Sequence, residues 1–254
     1  MSNKYLKNLN RIEFVVTMAC SGKCKHCSQG SHNQSDRIDG DKAQQAIYDI
    51  CKNYKINSIM TFGGEPLLYP ETVCKIHSAA RDMNIPERDL ITNGYFSKNA
   101  DRVKEVARML AESGVKSICL SVDAFHQETI PLEYVKAFAK AAIEENIPIR
   151  THPAWLVSAD DSNPYNLKTR EILNEFSQMG ISESSGNVIF PSGNALKYLG
   201  EYFKDNIQYE NPYEEDPRDM KTISFSANGD VLNGNINKSS ILEIMDSYDG
   251  GLGE

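Results

Sequence analysis

The chain has no long hydrophobic run. None of its apolar stretches approaches the roughly 18 residues of a membrane-spanning helix, and its polar start, Met1-Ser2-Asn3-Lys4, has no apolar core of the kind found in signal peptides. We therefore expect a cytoplasmic protein that makes no contact with a membrane.

Positive charge is also in short supply. The 254 residues include 27 lysines and arginines against 35 aspartates and glutamates, which gives a formal net charge of -8. A general nucleic-acid-binding surface needs clustered lysine and arginine to neutralise phosphates. We expect no nucleic-acid partner, although a local basic groove is compatible with this total.

Cysteine is sparse and unevenly placed, with six in the chain and none after Cys119. Three of them, Cys51, Cys74 and Cys119, lie far apart and show no ligand spacing, so we interpret them as small buried hydrophobic residues. The other three fall within one short segment and require a different explanation.

That segment carries Cys20, Cys24 and Cys27 at C-x3-C-x2-C spacing, directly after an apolar stretch. Closed metal sites take four protein ligands, whereas three thiols leave one coordination position for an outside molecule. The spacing therefore favours an open iron–sulfur cluster. A zinc knuckle that uses His26 or His32, a disulfide, and unrelated loop cysteines are the alternatives. Zinc is the weaker of these because His26 adjoins Cys27, and neighbouring side chains rarely converge on one ion.

A second motif, Gly63-Gly64-Glu65-Pro66, follows a short apolar run. Two glycines allow the backbone to approach a ligand closely, and their carbonyl groups together with Glu65 would then hold an ammonium group. An ordinary turn between a strand and a helix is the alternative interpretation, and it is less favoured once the motif follows the cysteine triplet.

With these two motifs in this order, the chain resembles the radical S-adenosylmethionine (SAM) enzymes. Two further segments extend the resemblance, Ile91-Thr92-Asn93-Gly94 and Leu120-Ser121-Val122-Asp123. The residue before the last cysteine departs from the family, where it is commonly aromatic and carbocyclic. Here it is His26, whose ring we expect to pack against adenine.

The resemblance implies one 4Fe-4S cluster and SAM as cofactors. An electron passed to the cluster would split a carbon–sulfur bond of SAM, and the resulting 5′-deoxyadenosyl radical would take hydrogen from a substrate carbon. The cofactors supply this chemistry, while the protein positions the reactants and excludes water. A reductase, flavodoxin or ferredoxin is the implied electron donor.

The resemblance also assigns roles to individual residues. Cys20, Cys24 and Cys27 would ligate the cluster, and Gly63, Gly64 and Glu65 would hold the methionine amino group. Residues placed to bind the carboxylate or ribose of SAM are Thr92, Asn93, Ser121, Asp123 and Arg150. For the first four, capping of a turn is the alternative. For Arg150, the alternative interpretation is an ordinary surface arginine.

No catalytic residue is identified by the sequence. His126 and His152 follow predicted strands, where either would be able to exchange a proton or bind substrate. We group both with Tyr95 as residues that line the substrate cavity. For the two histidines, a structural role without any function in binding or catalysis is the alternative.

The fold is predicted as α/β from the alternation of strand-length and helix-length patterns. Predicted strands cover 12–19, 58–62, 89–92, 117–122, 147–151 and 187–190, and predicted helices cover 41–54, 70–84, 101–113, 131–145 and 167–179. Such alternation indicates a parallel sheet, here a partial (β/α)6 TIM-like barrel open on one side. Asn99 is the expected N-cap of the third helix, and Gly114 its expected stop. Ligand sites on parallel sheets lie at the carboxyl ends of strands, where every motif above falls.

The last part of the chain is expected to form a small second unit. The segment 190–195 and the residues after it are similar in order to the SPASM/twitch-like extension of some radical SAM enzymes, but the auxiliary-cluster cysteines are missing. Within it we predict an acidic linker at 210–219, a β-hairpin over 222–232 about Asn228-Gly229, and a helix over 240–248. The expected domains are residues 1–204 and 205–254.

Several hypotheses follow for the substrate. Because such extensions are largely found in peptide-modifying relatives, modification of a peptide or protein is the first; radical chemistry on a small metabolite is the alternative. An activase that installs a glycyl radical in a partner fits less well. A cluster-binding redox sensor that never cleaves SAM is the hypothesis from outside enzymology.

Overall fold

The computed structural model describes residues 3–28, 30, 35–203 and 214–251. Its strands are β1 (Arg11–Val15), β2 (Ser58–Phe62), β3 (Glu87–Thr92), β4 (Ser117–Leu120), β5 (Ile149–Thr151), β6 (Ala154–Trp155), β7 (Ser182–Glu183), β8 (Asn187–Val188), β9 (Thr222–Phe225), β10 (Asp230–Val231) and β11 (Gly234–Asn235). Seven of them form one open parallel sheet in the order β7-β5-β4-β3-β2-β1-β9. The predicted α/β class and open, barrel-like sheet are confirmed.

The helices alternate with these strands. They are α1 (Gly40–Asn53), α2 (Pro70–Asp82), α3 (Ala100–Ser113), α4 (Ala124–Gln127), α5 (Leu132–Glu144), α6 (Pro164–Ser177), α7 (Gly193–Tyr198) and α8 (Ile241–Ser247), with short 3-10 helices at Pro66–Leu68 and Gly200–Tyr202. The Asn99 side chain caps α3 by accepting hydrogen bonds from two backbone N–H groups, and Gly114 ends the helix with φ +91°. Both terminal signals are therefore confirmed. Among the described residues, no helix is long and apolar enough to cross a membrane.

The two faces of the sheet differ in character. Side chains alternate along each strand, so the register pairs Phe14, Thr61, Leu90 and Ile118 on one face, and all four are buried against the helices. We call the opposite side the inner face, and define it by Arg11, Glu13, Met60, Asp89, Ser117, Cys119 and Arg150. All of these except Cys119 are only partly buried, so the inner face is polar and reachable by solvent.

The predicted sixth strand is wrong in its position. β7, at Ser182–Glu183, takes the place beside β5, whereas Asn187–Val188 pairs with β6 in a separate two-stranded sheet. Gly186, with φ +66°, turns the chain between the two. The apolar run after Gly186 has the composition of a buried strand, while the true edge strand is short, polar and exposed, and such strands leave little signal in a sequence.

The predicted hairpin near the C-terminus is wrong in its pairing. A turn does form at Asn228-Gly229, where Gly229 has φ +91°, but β9 pairs with β1 in parallel and β10 pairs with β11. Phe14 and Phe225 stack with ring centroids 4.6 Å apart, which favours this arrangement.

Two further predictions for the C-terminal part concern a helix and a domain boundary. The predicted helix is present as α8, with a capping box between Ser240 and Glu243. The proposed boundary between residues 204 and 205 lies outside the described residues, as does the start of the acidic linker, so the two-domain division stays a prediction.

Candidate active site

The four predicted motifs meet at the carboxyl edge of the sheet. The cysteine loop (residues 20–27) follows β1, and the next three motifs follow β2, β3 and β4. Backbone hydrogen bonds connect neighbouring motifs: Gly64 N donates to Thr17 O at 2.8 Å, and Glu65 N donates to Ala19 O at 2.8 Å. Ser121 N donates to Thr92 O at 2.8 Å in the same way.

The two glycines are required by the approach to the cysteine loop. A Cβ atom on Gly63 would lie 2.5 Å from Thr17 O, and one on Gly64 would lie 2.2 Å from Ala19 O. Gly63 also has φ +144°, which other residues rarely adopt. The sequence interpretation gave these glycines a ligand-binding role, which stays a prediction. Their packing against the segment that leads into the cysteine loop is a separate structural reason for them.

Glu65 is a fully buried acid that joins two motifs, its own and the one after β3. Its Oε1 atom accepts hydrogen bonds from Leu67 N at 2.9 Å and Thr92 Oγ1 at 2.7 Å, and its Oε2 atom accepts from Asn93 N at 2.8 Å. Burial raises the pKa of this carboxyl group to about 7, against the opposing effect of these donors. Glu65 therefore fixes the end of β3 relative to β2 and changes charge near neutral pH.

The cysteine loop holds its three thiols without a disulfide. Cys24 is buried, while Cys20 and Cys27 are partly exposed. Burial raises the pKa of the Cys20 thiol to about 11, and burial together with Asp123 and the other two thiols raises the pKa of Cys24. Thiols that resist ionisation in this way bind a soft metal by exchanging their protons for it. Asn93 Nδ2 lies 3.6 Å from Cys20 Sγ.

A late segment of the chain holds the outer side of this loop. Asn194 N donates to Cys27 O at 2.9 Å, and Asn194 Nδ2 donates to Cys24 O at 3.1 Å. A Cβ atom on Gly193 would lie 2.4 Å from Ser28 O. Sequence reasoning noted this segment only as part of the extension and missed its contact with the loop. The available signal in the sequence was Gly193-Asn194, but this pair does not indicate which residues it contacts.

The rings of His26, in the cysteine loop, and His126, on α4, lie next to each other beside Cys24. Their ring centroids are 4.7 Å apart, and the buried Nδ1 atom of His26 has no hydrogen-bond partner among the described residues. Burial lowers the pKa of His26 to about 4. One ring nitrogen of each histidine and Cys24 Sγ all lie within 4.8 Å of one another. This group gives the zinc alternative a specific form, in which His126 joins His26.

Asp123 fixes the position of His126. Its Oδ2 atom lies 2.7 Å from His126 Nδ1 and accepts from Ala154 N at 3.0 Å, while Oδ1 accepts from His126 N at 2.9 Å. Burial opposes the charge of His126, but the Asp123 carboxylate raises its pKa overall. Burial also disfavours the charged form of Asp123, but the neighbouring His126 lowers the pKa of Asp123 overall. With both oxygens engaged, the predicted contact of Asp123 with ribose remains untested.

The other three predicted site residues, His152, Tyr95 and Arg150, contact side chains outside the cysteine loop. His152 Nδ1 lies 2.9 Å from Ser184 Oγ, and its Nε2 lies 3.0 Å from Asn187 Nδ2. Tyr95 stacks on Tyr134 with centroids 5.2 Å apart. Arg150 Nη1 donates to Ser117 Oγ at 3.2 Å, which turns the guanidinium toward the start of β4 and the inner face. The functional roles of these three residues stay predictions.

The family model for the radical SAM superfamily matches residues 14–155, more than half of the chain. The chain belongs to the radical SAM superfamily. Its cofactors are those of the superfamily, one 4Fe-4S cluster and SAM, and it is an enzyme of radical chemistry. The site fits this pair: three thiols lie in one loop free of disulfides, and a buried histidine nitrogen beside them lacks a partner within the described part of the chain.

Curated relatives of the chain include cyclases of GTP. A GTP 3′,8-cyclase of Clostridium perfringens is 26% identical over 168 residues, which covers 61% of this chain and 50% of that protein. A probable GTP 3′,8-cyclase of Methanocaldococcus jannaschii is 26% identical over 129 residues, with 50% and 41% covered. The chain thus spans about half the length of the curated relatives it matches.

Solved structures show the same fold at low sequence identity. Native anSMEcpe with bound AdoMet is 13% identical with a TM-score of 0.60, covering 95% of this chain and 81% of that one. Streptococcus suis SuiB bound to S-adenosylmethionine is 13% identical with a TM-score of 0.57, covering 97% and 67%. BtrN in complex with AdoMet and 2-DOIA is 15% identical with a TM-score of 0.52, covering 93% and 82%.

Proposed function

We propose that this enzyme carries out radical chemistry on a small molecule, and that Cys20, Cys24 and Cys27 bind the cluster. The similarity to GTP 3′,8-cyclases is the observation that carries the choice of substrate class. It favours the small-metabolite alternative over the peptide-modifying hypothesis that the C-terminal extension suggested. When bound, the cluster and SAM supply a carbon-centred radical that abstracts hydrogen from the substrate.

The protein's own contribution is to hold the cysteine loop in one conformation. Gly63 and Gly64 let the end of β2 pack against the loop entrance, and Asn194 holds the loop from outside. Glu65 fixes the end of β3, and so positions Asn93 beside Cys20. A site supported from several sides keeps reacting groups in place and limits the entry of water.

Asp123 and His126 form the proton-handling part of this proposal. The short contact between Asp123 Oδ2 and His126 Nδ1 fixes the ring and leaves Nε2 as its other polar atom. A histidine held in this way, with a raised pKa, is able to retain a proton near neutral pH. We propose that His126 holds a proton next to the bound cofactors.

Anaerobic reconstitution tests the proposed chemistry. The protein is loaded with iron and sulfide, reduced with dithionite and incubated with SAM, and 5′-deoxyadenosine is measured by mass spectrometry. Production of 5′-deoxyadenosine supports the enzyme. A cluster-loaded protein that yields none under varied reductants and substrates supports the redox-sensor hypothesis instead.

A fractionated cell extract tests the proposed substrate class. The low-molecular-mass fraction is added to the reconstituted enzyme before and after protease digestion, and the rate of 5′-deoxyadenosine formation is compared. Stimulation that survives the protease supports a small molecule. Stimulation that the protease removes contradicts our proposal and returns the peptide hypothesis to first place.

A further inference from the structure

The inner face of the sheet carries two sets of oppositely charged residues, Arg11 with Glu13 and Arg150 with Asp89. Only the first set forms an ion pair within the described part of the chain. Arg11 and Glu13 form an ion pair, with Arg11 Nε 2.7 Å from Glu13 Oε1. The other two nitrogens of Arg11 contact Ser58 Oγ at 3.1 Å and Met60 Sδ at 3.2 Å. All three guanidinium nitrogens are therefore engaged, and this pair needs no outside partner.

Asp89 and Arg150 have opposite charges and lie on the same face, but they do not pair. Asp89 aligns with Ser117 on the neighbouring strand, and Arg150 reaches Ser117 from the other side. The two charges thus flank β4. Within the described part of the chain, the Asp89 carboxylate has no hydrogen bond and no ion pair, and Arg150 is bound only to Ser117 and to the thiol of Cys119.

Both groups are partly withdrawn from water. Asp89 and Arg150 are half-buried, and burial raises the pKa of Asp89 even though Arg150 and Arg11 oppose the shift. A half-buried charge that lacks a partner is costly. Two such charges of opposite sign, on the strands that flank β4 and on the same face of the sheet, are complementary to a molecule that carries one group of each sign.

We propose that the substrate is a small zwitterion of the α-amino-acid type, whose anionic group binds Arg150 and whose cationic group binds Asp89. The planar guanidinium is suited to a carboxylate through paired hydrogen bonds. The proposal rests on the proposed function, since it names the substrate class for the same enzyme. It also separates Arg150 from the methionine carboxylate of SAM, the partner that the sequence suggested.

Binding to the reconstituted holoenzyme with SAM present tests this proposal. The probes are four pools at equal concentration: the twenty amino acids, dicarboxylic acids, diamines, and GTP. The readouts are the shift in melting temperature and the stimulation of 5′-deoxyadenosine formation. We expect only the amino-acid pool to act. A response to GTP or dicarboxylates that needs Arg150 but not Asp89 would overturn the proposal, as would no response to the amino-acid pool.

Variants assign the binding to the two charges. Arg150→Gln and Asp89→Asn should each weaken binding of the active amino acid roughly tenfold or more, because each removes a charged hydrogen bond, and Arg150→Lys should restore part of it. Glu87→Gln is the matched control, since Glu87 lies on the same strand and face but is exposed. It should bind as wild type.

SAM binding distinguishes the two possible roles of Arg150. If Arg150 binds substrate and not the cofactor, Arg150→Gln keeps wild-type affinity for SAM. If SAM affinity falls instead, Arg150 binds the cofactor and the inference is wrong. A wild-type enzyme that forms no 5′-deoxyadenosine with any reductant or any added pool would contradict the proposed function itself, so the two failures are separable.

Discussion

Two loops of this enzyme are held in shape in opposite ways, one by contacts from neighbouring segments and the other by hydrogen bonds between its own residues. Asn194 holds the cysteine loop from outside, and Gly64 and Glu65 hold the residues that lead into it. The buried Nδ1 atom of His26 in this loop has no hydrogen-bond partner among the residues that the structure describes. The C-terminal loop, residues 228–237, satisfies itself: Asp230 accepts hydrogen bonds from Asn228 Nδ2 at 2.7 Å and from Asn235 Nδ2 at 2.6 Å.

The difference separates the loop that we propose to bind the cluster from a loop that has no cysteine. In the C-terminal loop, the amide side chains of Asn228 and Asn235 donate hydrogen bonds to the Asp230 carboxylate. No cysteine follows Cys119 in the sequence. The cysteine loop instead depends on neighbouring segments for its shape, and the buried Nδ1 atom of its His26 has no hydrogen-bond partner among the described residues. Because buried polar atoms are normally satisfied, such an incomplete loop indicates a binding site.

The largest effect is expected from Cys24→Ala. Removing one of three anchors should abolish cluster binding and with it all 5′-deoxyadenosine, whereas Cys51→Ala, a half-buried cysteine on α1, should keep both. Iron and sulfide content and electron paramagnetic resonance after reconstitution measure the result. Equal cluster content in the two variants would show that the loop is not the cofactor site.

Gly64→Ala should come next. Its Cβ atom would lie 2.2 Å from Ala19 O, and backbone cannot move aside cheaply, so we expect a loss of about 1–3 kcal/mol or more in the free energy of unfolding. Gly200→Ala is the control because a Cβ atom on Gly200 would have no other atom within 4 Å among the described residues. Urea unfolding of the metal-free proteins measures both, and equal midpoints would contradict the packing role.

The buried acid beside the cysteine loop should give a pH signature. The pKa of Glu65 is raised from 4.5 to about 7, so the folded protein holds its proton more tightly than the unfolded chain. Its contribution to stability is fully present below pH 4.5 and is lost as the pH rises through 7. The slope is at most about 1.4 kcal/mol per pH unit. Unfolding of metal-free Glu65→Gln across this range should lack the slope, and an unchanged slope would assign it to another group.

Asn194→Ala tests the outer contact of the cysteine loop. Losing the hydrogen bond to Cys24 O should cost about 1 kcal/mol and should speed the removal of iron by a chelator. Asn233→Ala, which loses only an exposed hydrogen bond from the C-terminal loop to Ser247 O at the end of α8, is the control. Identical rates of iron release from the two variants would show that Asn194 does not support the site.

The smallest effect is expected from Asp230→Asn in the C-terminal loop. Hydrogen bonds from Asn235 and Asn228 lower the pKa of Asp230, so its contribution to stability is present above its unfolded pKa and is lost as the pH falls. The group is exposed and its effect is screened, so we expect a few tenths of a kcal/mol. Acid unfolding should reveal this difference while cluster content stays unchanged. A loss of cluster would break the contrast between the two loops.

The parts of the molecule that the sequence predicted well have strong local signals. The third helix has its cap at Asn99 and its stop at Gly114, and both lie where local chemistry requires them. The meeting of the four motifs at one edge follows from the geometry of parallel strands alone. These features depend on neighbours in the sequence or on a general rule of topology.

The failures all involve partners distant in the sequence. Nothing near β9 indicates that it pairs with β1, and nothing near Asn194 names Cys24 and Cys27 as its partners. The same holds for the unpaired state of Asp89 within the described part of the chain, since periodicity places it on a face without stating what stands opposite. Long-range pairing and charge balance are decided by the folded structure.

The pairing of β9 with β1 has a consequence for biogenesis. Strand β1 leads directly into the cysteine loop, yet one of its edges stays open until Thr222–Phe225 has been synthesised and has docked, with Phe225 covering Phe14. A ribosome-bound chain that stops short of this point would present an uncovered aromatic ring and a bare strand edge. Delivery of iron and sulfide should therefore follow the docking of β9, and products truncated before β9 should aggregate before they acquire metal.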